Sequence, residues 1–129
     1  MFVEHSLSNS IRRNSIYRNV GRGIFLADGG NNLLSAPVIL TVTETSVFGT
    51  ACPGCTVEVY SDAEDEGRLY EGSTTASALG VFIFTKAGGP IGPYVTATAT
   101  DRDGNTSEFS TPRKAWARIC LPVILKSKL

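Results

Sequence analysis

Between residues 34 and 111, apolar and polar residues alternate with a period of two, and this alternation constrains the fold most. It recurs in short runs at 38–43, 46–50, 56–60, 81–84 and 95–100, with a further strand expected at Leu69. Turn residues separate the runs: Pro53-Gly54, Asp65-Glu66-Gly67, Leu79-Gly80, Gly88-Gly89-Pro90 and Asp103-Gly104-Asn105. Successive side chains of a strand point to opposite faces, so each run predicts a half-buried strand. We therefore predict an all-β fold, an antiparallel β-sandwich of about seven strands.

A different pattern occupies residues 1–33. Asn9, Asn14 and Asn19 recur at five-residue steps, and Ile11 and Ile16 each follow an asparagine by two residues. No 3.6-residue apolar period is present. Asparagine tolerates the left-handed backbone conformation of tight corners, so the pattern favours very short strands joined at asparagine corners. The alternative is a disordered polar leader, which low hydrophobicity often signals.

The repeated Asn-Ser-Ile, followed by a further asparagine and by Gly23-Ile24, resembles a rung of a right-handed parallel β-helix. The resemblance implies a terminal coil, a β-helix remnant, at residues 1–33. A solenoid coil buries its apolar face only against neighbours. We therefore expect an upstream β-helix domain as a partner, and we expect the coil here to dock on the following domain, pair with another chain or fray.

Two motifs in residues 34–111 carry a second resemblance. The segment Cys52-Pro53-Gly54-Cys55-Thr56-Val57-Glu58-Val59-Tyr60 is similar to the "Pro-Gly-x-Thr-Val-x-Val-Tyr" hairpin of bacterial Ig-like repeats. Residues 92–110, with Tyr94-Val95-Thr96-Ala97-Thr98-Ala99-Thr100 and Asp103-Gly104-Asn105, are similar to the closing hairpin of those repeats. The resemblance implies an Ig-like sandwich, secretion, and a spacer, adhesion or assembly role without family-wide catalytic residues.

Residues 112–129 are predicted to form a C-terminal apolar tail. The segment holds Trp116 and an apolar run at 119–125, which is too short to span a bilayer. Its Leu121-Pro122-Val123-Ile124-Leu125-Lys126 is similar to the ending of some exported bacterial proteins. We expect it to add an edge strand, to cover one end of the sandwich or to hang free.

Cys52 and Cys55 form the first candidate site. Proline and glycine between them are the signature of a type II turn, which brings the two ends within reach of a disulfide. A redox role would need the first cysteine at a helix N-terminus, whereas a strand is predicted to follow. Zinc would need His5 and Cys120 to join the pair. The structural disulfide is favoured, and Cys120 is then expected to be unpaired.

Asp101, Asp103 and Asn105 form a weak calcium candidate. The segment fails the EF-hand pattern because its glycine comes too early and the ligand at the twelfth position is missing. A tight hairpin turn is favoured, since Asp-Gly and Gly-Asn supply the positive backbone angles. The acidic run Asp62, Glu64, Asp65 and Glu66 is interpreted as a solvated loop. No cofactor is expected beyond this weak calcium possibility.

Composition and motifs limit the function classes. The chain has 12 basic and 12 acidic residues, a net charge of zero, and its four arginines at 12, 13, 18 and 22 form no basic stripe, so no nucleic acid partner is expected. No run is long enough for a membrane span. Neither a nucleophile elbow nor a phosphate-binding glycine loop is present, so no enzyme is expected. The N-terminus lacks a signal-peptide pattern, and if the natural protein is exported we expect this chain to be a fragment or a misplaced start.

We therefore predict a non-catalytic structural, spacer or adhesion module of a secreted or cell-surface protein, capping a β-helix. The alternative is a carbohydrate-binding module whose exposed aromatic residues bind polysaccharide. Its candidates are Tyr60, Tyr70, Tyr94 and Trp116. A third possibility is a fragment of a β-helix hydrolase or lyase with its active site upstream.

Overall fold

The computed structural model describes residues 1–115, which contain nine strands and one 3₁₀ turn but no α-helix. The strands are β1 (Phe2–Glu4), β2 (Phe25–Ala27), β3 (Val38–Val42), β4 (Ser46–Thr50), β5 (Thr56–Asp62), β6 (Leu69–Thr75), β7 (Val81–Thr85), β8 (Tyr94–Thr100) and β9 (Arg113–Lys114). The 3₁₀ turn spans Gly30–Leu33. Each predicted alternating run coincides with a strand.

Strands β3 to β9 form two antiparallel sheets. One is three-stranded in the order β3-β4-β7, and the other is four-stranded in the order β6-β5-β8-β9. Their facing side chains form one buried cluster, built from Ile39, Val47, Phe82 and Phe84 of the first sheet and Val57, Val59, Val95 and Ala97 of the second. The predicted all-β class with antiparallel sheets is therefore confirmed, in a sandwich-like arrangement.

The N-terminal segment, 1–33, forms a separate layer. β1 and β2 pair in parallel, with Phe2 opposite Phe25 and Glu4 opposite Ala27. A second buried cluster consists of Val3, Ile11, Ile24 and Leu26, against which Ile16 and Phe109 pack. This layer lies on the outer face of the four-stranded sheet. Of the three outcomes expected for residues 1–33, the structure therefore shows docking on the part of the chain that follows.

The predicted asparagine corners are displaced by one position. Ser8, Arg13 and Arg18 have φ values of 61°, 54° and 58°, and each directly precedes one of the asparagines spaced by five. The side chain of Asn9 bonds to Asn31 and that of Asn19 bonds to Glu66, so these asparagines serve as hydrogen-bonding groups. Among the described asparagines, only Asn31 and Asn32, in the 3₁₀ turn, take the left-handed conformation themselves.

The segment after β8 returns along it. The N–H of Ser107 bonds to the carbonyl of Ala99, and that of Ser110 to Ala97, at 2.9 and 2.8 Å. β9 then pairs with the start of β8, Arg113 opposite Val95. β9 belongs to the segment predicted as a tail, and the apolar run at 119–125 lies outside the described residues.

Candidate functional site: a buried polar interface

The outer face of the four-stranded sheet is polar and yet buried. Glu58 and Tyr60 alternate along β5 with the core residues Val57 and Val59, so their side chains point away from the other sheet. Glu58 is 0% exposed and Tyr60 2%. The outer face of an antiparallel sheet is commonly solvated. Here residues 1–33 replace the solvent.

Glu58 is the central carboxylate of this interface. Its Oε1 accepts hydrogen bonds from the Tyr60 hydroxyl at 2.7 Å and from the Arg13 N–H at 3.0 Å. Its Oε2 lies 3.3 Å from Arg12 Nε. A buried charge is costly unless it is paired and hydrogen-bonded, and these contacts supply both. Glu58 thereby holds the backbone of the N-terminal layer on the sheet.

Tyr60 completes this arrangement as a proton donor. Burial raises the pKa of Tyr60 above its ordinary value, and the hydrogen bond to Glu58 and the charge of Glu58 raise it further, whereas the Arg13 N–H lowers it. The hydroxyl therefore stays protonated at neutral pH. It can donate to Glu58 throughout the physiological range.

Two further carboxylates hold the layer at other points. Glu66 accepts the Asn19 N–H at 2.9 Å and the Asn19 side-chain amide at 2.6 Å. Glu108 accepts two hydrogen bonds from Arg22 Nη1, at 3.0 and 3.1 Å, and one from the Leu26 N–H at 2.9 Å. The approach is close: a Cβ on Gly23 would lie 2.7 Å from Glu66 Oε1. A side chain at position 23 would therefore displace the Glu66 carboxylate or the ring of Phe109.

Asn31 joins the layer to the closing hairpin. Its side chain is 0% exposed, and both its amide oxygen and its amide nitrogen are hydrogen-bonded. Oδ1 accepts from the Asn9 N–H at 2.9 Å and from Asn9 Nδ2 at 3.1 Å, and Nδ2 donates to the carbonyls of Asn9 and Thr106. Nearby, the Ile11 N–H donates to Thr106 Oγ1 at 2.9 Å. The Asn31 amide thus ties both ends of the N-terminal layer to the sandwich-like part.

Cys52 and Cys55 form the predicted disulfide, with their Cα atoms 5.4 Å apart. Gly54 has a φ of 75°, and the Cys55 N–H bonds to the Cys52 carbonyl at 3.0 Å, as the type II turn requires. With both sulfurs in the disulfide, the proposed zinc set loses two thiolates. Cys120, its fourth member, lies outside the described residues.

The structure does not gather the predicted aromatic residues into one exposed row. Tyr60 is buried, and its ring packs edge-on against Tyr70 and Phe109 at centroid distances of 5.6 and 5.5 Å. Tyr70 and Tyr94 are 36% and 38% exposed. Trp116 lies outside the described residues. Tyr60 is therefore a packing and hydrogen-bonding residue of the interface.

The segment 101–105 forms a hairpin turn. Asp101 Oδ1 accepts the N–H groups of Asp103 and Asn105, both at 3.0 Å, and the Asn105 side chain bonds to the same carboxylate. Burial raises the pKa of Asp101, but the hydrogen bonds from Asn105, Asp103 and Gly104 outweigh it and leave the pKa below the ordinary value. The carboxylate is already used by the turn, while Asn105 Oδ1 accepts the Ser8 N–H at 2.7 Å.

The acidic run is not a wholly solvated loop. Asp62 and Glu66 are buried, whereas Glu64 and Asp65 are exposed. Asp62 accepts hydrogen bonds from the N–H groups of Ala63 and Glu66, at 2.7 and 3.2 Å, and these bonds stabilise the conformation of the loop. The prediction failed because it ignored the layer that covers this side of the sheet.

His5 lies beside Glu4 and Asp28, and ligand atoms of the three residues fall within 4.8 Å of one another. Glu4 lies opposite Ala27 in the parallel pair, and the residues that follow them, His5 and Asp28, are therefore side by side. All three residues are exposed. The group is a side-by-side contact of two parallel strand ends.

No protein-family model and no curated protein matches this chain. Within residues 1–115, no helix has the length and apolar character needed to cross a membrane.

Sequence reasoning missed the residues that build the interface, chiefly Glu58, Glu66, Glu108 and Asn31. The only sequence signal was a glutamate at an outward position of a strand otherwise rich in valine. That signal is equally typical of a solvated face. It became informative only once residues 1–33 were placed over it.

Proposed function

We propose that this chain is a non-catalytic structural module of a secreted or cell-surface protein, in which an Ig-like sandwich closes the end of a parallel β-helix. The observation that carries the proposal is the parallel pairing of β1 and β2, in which Phe2 lies opposite Phe25. Parallel strands need a crossover of a dozen or more residues, usually a helix. Here residues 5–24 connect the two strands without an α-helix, as one coil of a solenoid does.

Strand order supports an Ig-like sandwich. With β3 to β9 lettered A to G, the sheets read A-B-E and D-C-F-G. The constant-type immunoglobulin domain has A-B-E-D and C-F-G. The two arrangements differ only in the edge strand D, which is β6: it pairs with strand C here and with strand E in the constant-type domain. The disulfide supports an oxidising, and hence extracellular, setting, because such bonds are rare where glutathione keeps thiols reduced.

The mechanical role follows from the interface. Three carboxylates accept the backbone N–H groups of Arg13, Asn19 and Leu26, so the coil is fixed on the sandwich at several separate points. β1 pairs with β2 alone among residues 1–115, which leaves its other edge available to an upstream coil. A solenoid end ordinarily needs such a cap, because exposed edges invite aggregation.

The proposal is tested by lengthening the solenoid by one coil. A second copy of the segment 2–24 is inserted before Phe2, so that the copied Phe2 precedes the original by the same interval that separates Phe2 from Phe25. We expect the added strand to pair with β1 in the register that β1 now makes with β2. Hydrogen exchange should then show new protection at the β1 amides.

The control carries an insert of the same length and composition in scrambled order. The scrambled insert should leave β1 exchange unchanged. If the duplicated coil gives no more protection than the scrambled one, β1 is no docking edge and the capping function is overturned.

A further inference from the structure

One seam between the N-terminal layer and the four-stranded sheet is held by paired hydrogen bonds. Ile16 and Gly67 exchange backbone hydrogen bonds at 3.0 and 2.9 Å, in antiparallel sense. Beside them, the Ser15 hydroxyl donates to the Arg68 carbonyl at 2.6 Å. Residues 13–17 therefore run alongside residues 67–70 in opposite direction.

Two arginine–tyrosine pairs cross this seam reciprocally. The Arg13 guanidinium from the layer lies 5.6 Å from the centroid of the Tyr70 ring on the sheet. The Arg68 guanidinium from the sheet side lies 4.9 Å from the centroid of the Tyr17 ring in the layer. We call these four residues, Arg13, Tyr17, Arg68 and Tyr70, the Arg/Tyr seam. All four are exposed.

The seam carries more positive charge than its neighbours neutralise. Arg13 Nε lies 4.0 Å from Oε2 of the buried Glu58, and Arg12 contacts the same oxygen. The Arg13 side chain is 68% exposed. Among residues 1–115, Arg68 forms no ion pair. A guanidinium stacked on a ring keeps its in-plane N–H donors free, and those donors match carboxylate and sulfate oxygens in pairs.

From this arrangement we infer that the Arg/Tyr seam binds a linear polysaccharide that carries carboxylate or sulfate groups. The arginines bind the acidic groups, and the exposed edges of Tyr17 and Tyr70 contact the sugar rings. The inference goes beyond the capping function and does not rest on it, because β1 takes no part.

A polysaccharide fits better than a nucleic acid. Proteins that bind duplex DNA commonly neutralise six to ten phosphates or so, whereas the seam offers two arginines in a chain of zero net charge. The Cys52–Cys55 disulfide also favours an oxidising compartment, where extracellular polysaccharides occur. Neutral sugars would leave the guanidinium donors without anionic partners.

The test measures binding of the full chain by isothermal titration calorimetry at low salt. The probes are polygalacturonate, dextran sulfate, neutral dextran and a DNA duplex. Arg13→Gln/Arg68→Gln removes both charges of the seam, and Tyr17→Leu removes a ring while retaining them. Arg102→Gln is the matched control, because Arg102 is an exposed arginine of the 101–105 turn and is not one of the four seam residues. Circular dichroism verifies that each variant is folded.

We expect one or both acidic polysaccharides to bind, with the preferred probe identifying carboxylate or sulfate as the ligand group. The double variant should bind at least about tenfold more weakly, since charge-assisted hydrogen bonds are lost. Tyr17→Leu should fall between the double variant and wild type. The inference is overturned if folded wild type ignores both acidic polysaccharides, if dextran or DNA binds as well as they do, or if Arg102→Gln weakens binding as much as the double variant.

Discussion

At the scale of single residues, Glu58 is a fully buried carboxylate whose charge is compensated by groups of the N-terminal layer. Glu58→Gln preserves the shape of the side chain but removes the buried negative charge beside Arg12 and Arg13. Its amide nitrogen would also face donors where the carboxylate accepted them. We expect a loss of about 2 kcal/mol in the free energy of unfolding, below the range for fully buried pairs because both arginines are partly exposed. Urea denaturation measures it.

Glu64→Gln supplies the control for Glu58→Gln, because Glu64 is an exposed glutamate in the loop after β5 and the charge change is the same. Surface substitutions ordinarily change stability by about 0.5 kcal/mol or less. If Glu58→Gln costs no more than Glu64→Gln, the N-terminal layer is not held by the Glu58 carboxylate.

The residue scale also shows the limit of sequence reasoning. The alternation of β5 correctly places Glu58 and Tyr60 on the face opposite Val57 and Val59. It cannot indicate that this face is covered, because the covering Arg13 is distant in sequence from Glu58, whose carboxylate accepts its N–H. Tyr60 was therefore a reasonable candidate for an exposed aromatic, and the structure places it in the interface.

At the scale of elements, Glu71 of β6 ties the connection between β7 and β8 to the sheet. It accepts hydrogen bonds from Lys86, Ser61 and the Ile91 N–H, the last at 2.9 Å. Burial raises the pKa of Glu71, but these three bonds and the Lys86 charge outweigh burial and leave the pKa below its ordinary value. The unfolded state therefore binds a proton more readily than the folded state does. The stabilisation is present above the unfolded pKa, about 4.3, and is lost as pH falls through the lower folded pKa.

We accordingly expect Glu71→Gln to lower the melting temperature at pH 7 and to flatten its decline below about pH 4. Thermal unfolding of wild type, Glu71→Gln and Glu64→Gln between about pH 2.5 and 7 measures the effect, with Glu64→Gln following wild type. Parallel curves for wild type and Glu71→Gln would show that Glu71 does not carry this pH dependence.

Elements that are determined by residues close in sequence could be predicted, whereas elements that depend on contacts between distant residues could not. The strands of the two antiparallel sheets follow from alternation and from turn residues such as Gly54 and Gly104, which do take positive φ. The five-residue spacing in the layer was visible, but the corner position itself was misplaced because Asn9 and Asn19 form distant side-chain hydrogen bonds. The pairing of β1 with β2 required a long-range register, Phe2 against Phe25, that no short motif encodes.

At the scale of the whole molecule, the four-stranded sheet has a buried cluster on each side. Val57 and Val59 face the three-stranded sheet, whereas Ile24 belongs to the cluster of the N-terminal layer, where it is 1% exposed. Because hydrogen bonds to Glu58, Glu66 and Glu108 join the layer to the sandwich-like part, we expect the two to unfold as one cooperative unit. Ile24→Ala should then cost about 2–5 kcal/mol and weaken both regions together.

Native-state hydrogen exchange separates this outcome from local opening of the layer. Cooperative unfolding predicts that Ile24→Ala lowers the protection of Leu26 and of Val59 by the same free energy. Ile83→Ala is the control, because Ile83 is 53% exposed on the outer face of β7 and a shortened side chain there leaves no cavity. Loss of protection at Leu26 with Val59 unchanged would mean that the carboxylates hold the layer too weakly to couple the two clusters, and that the layer opens independently of the sandwich-like part.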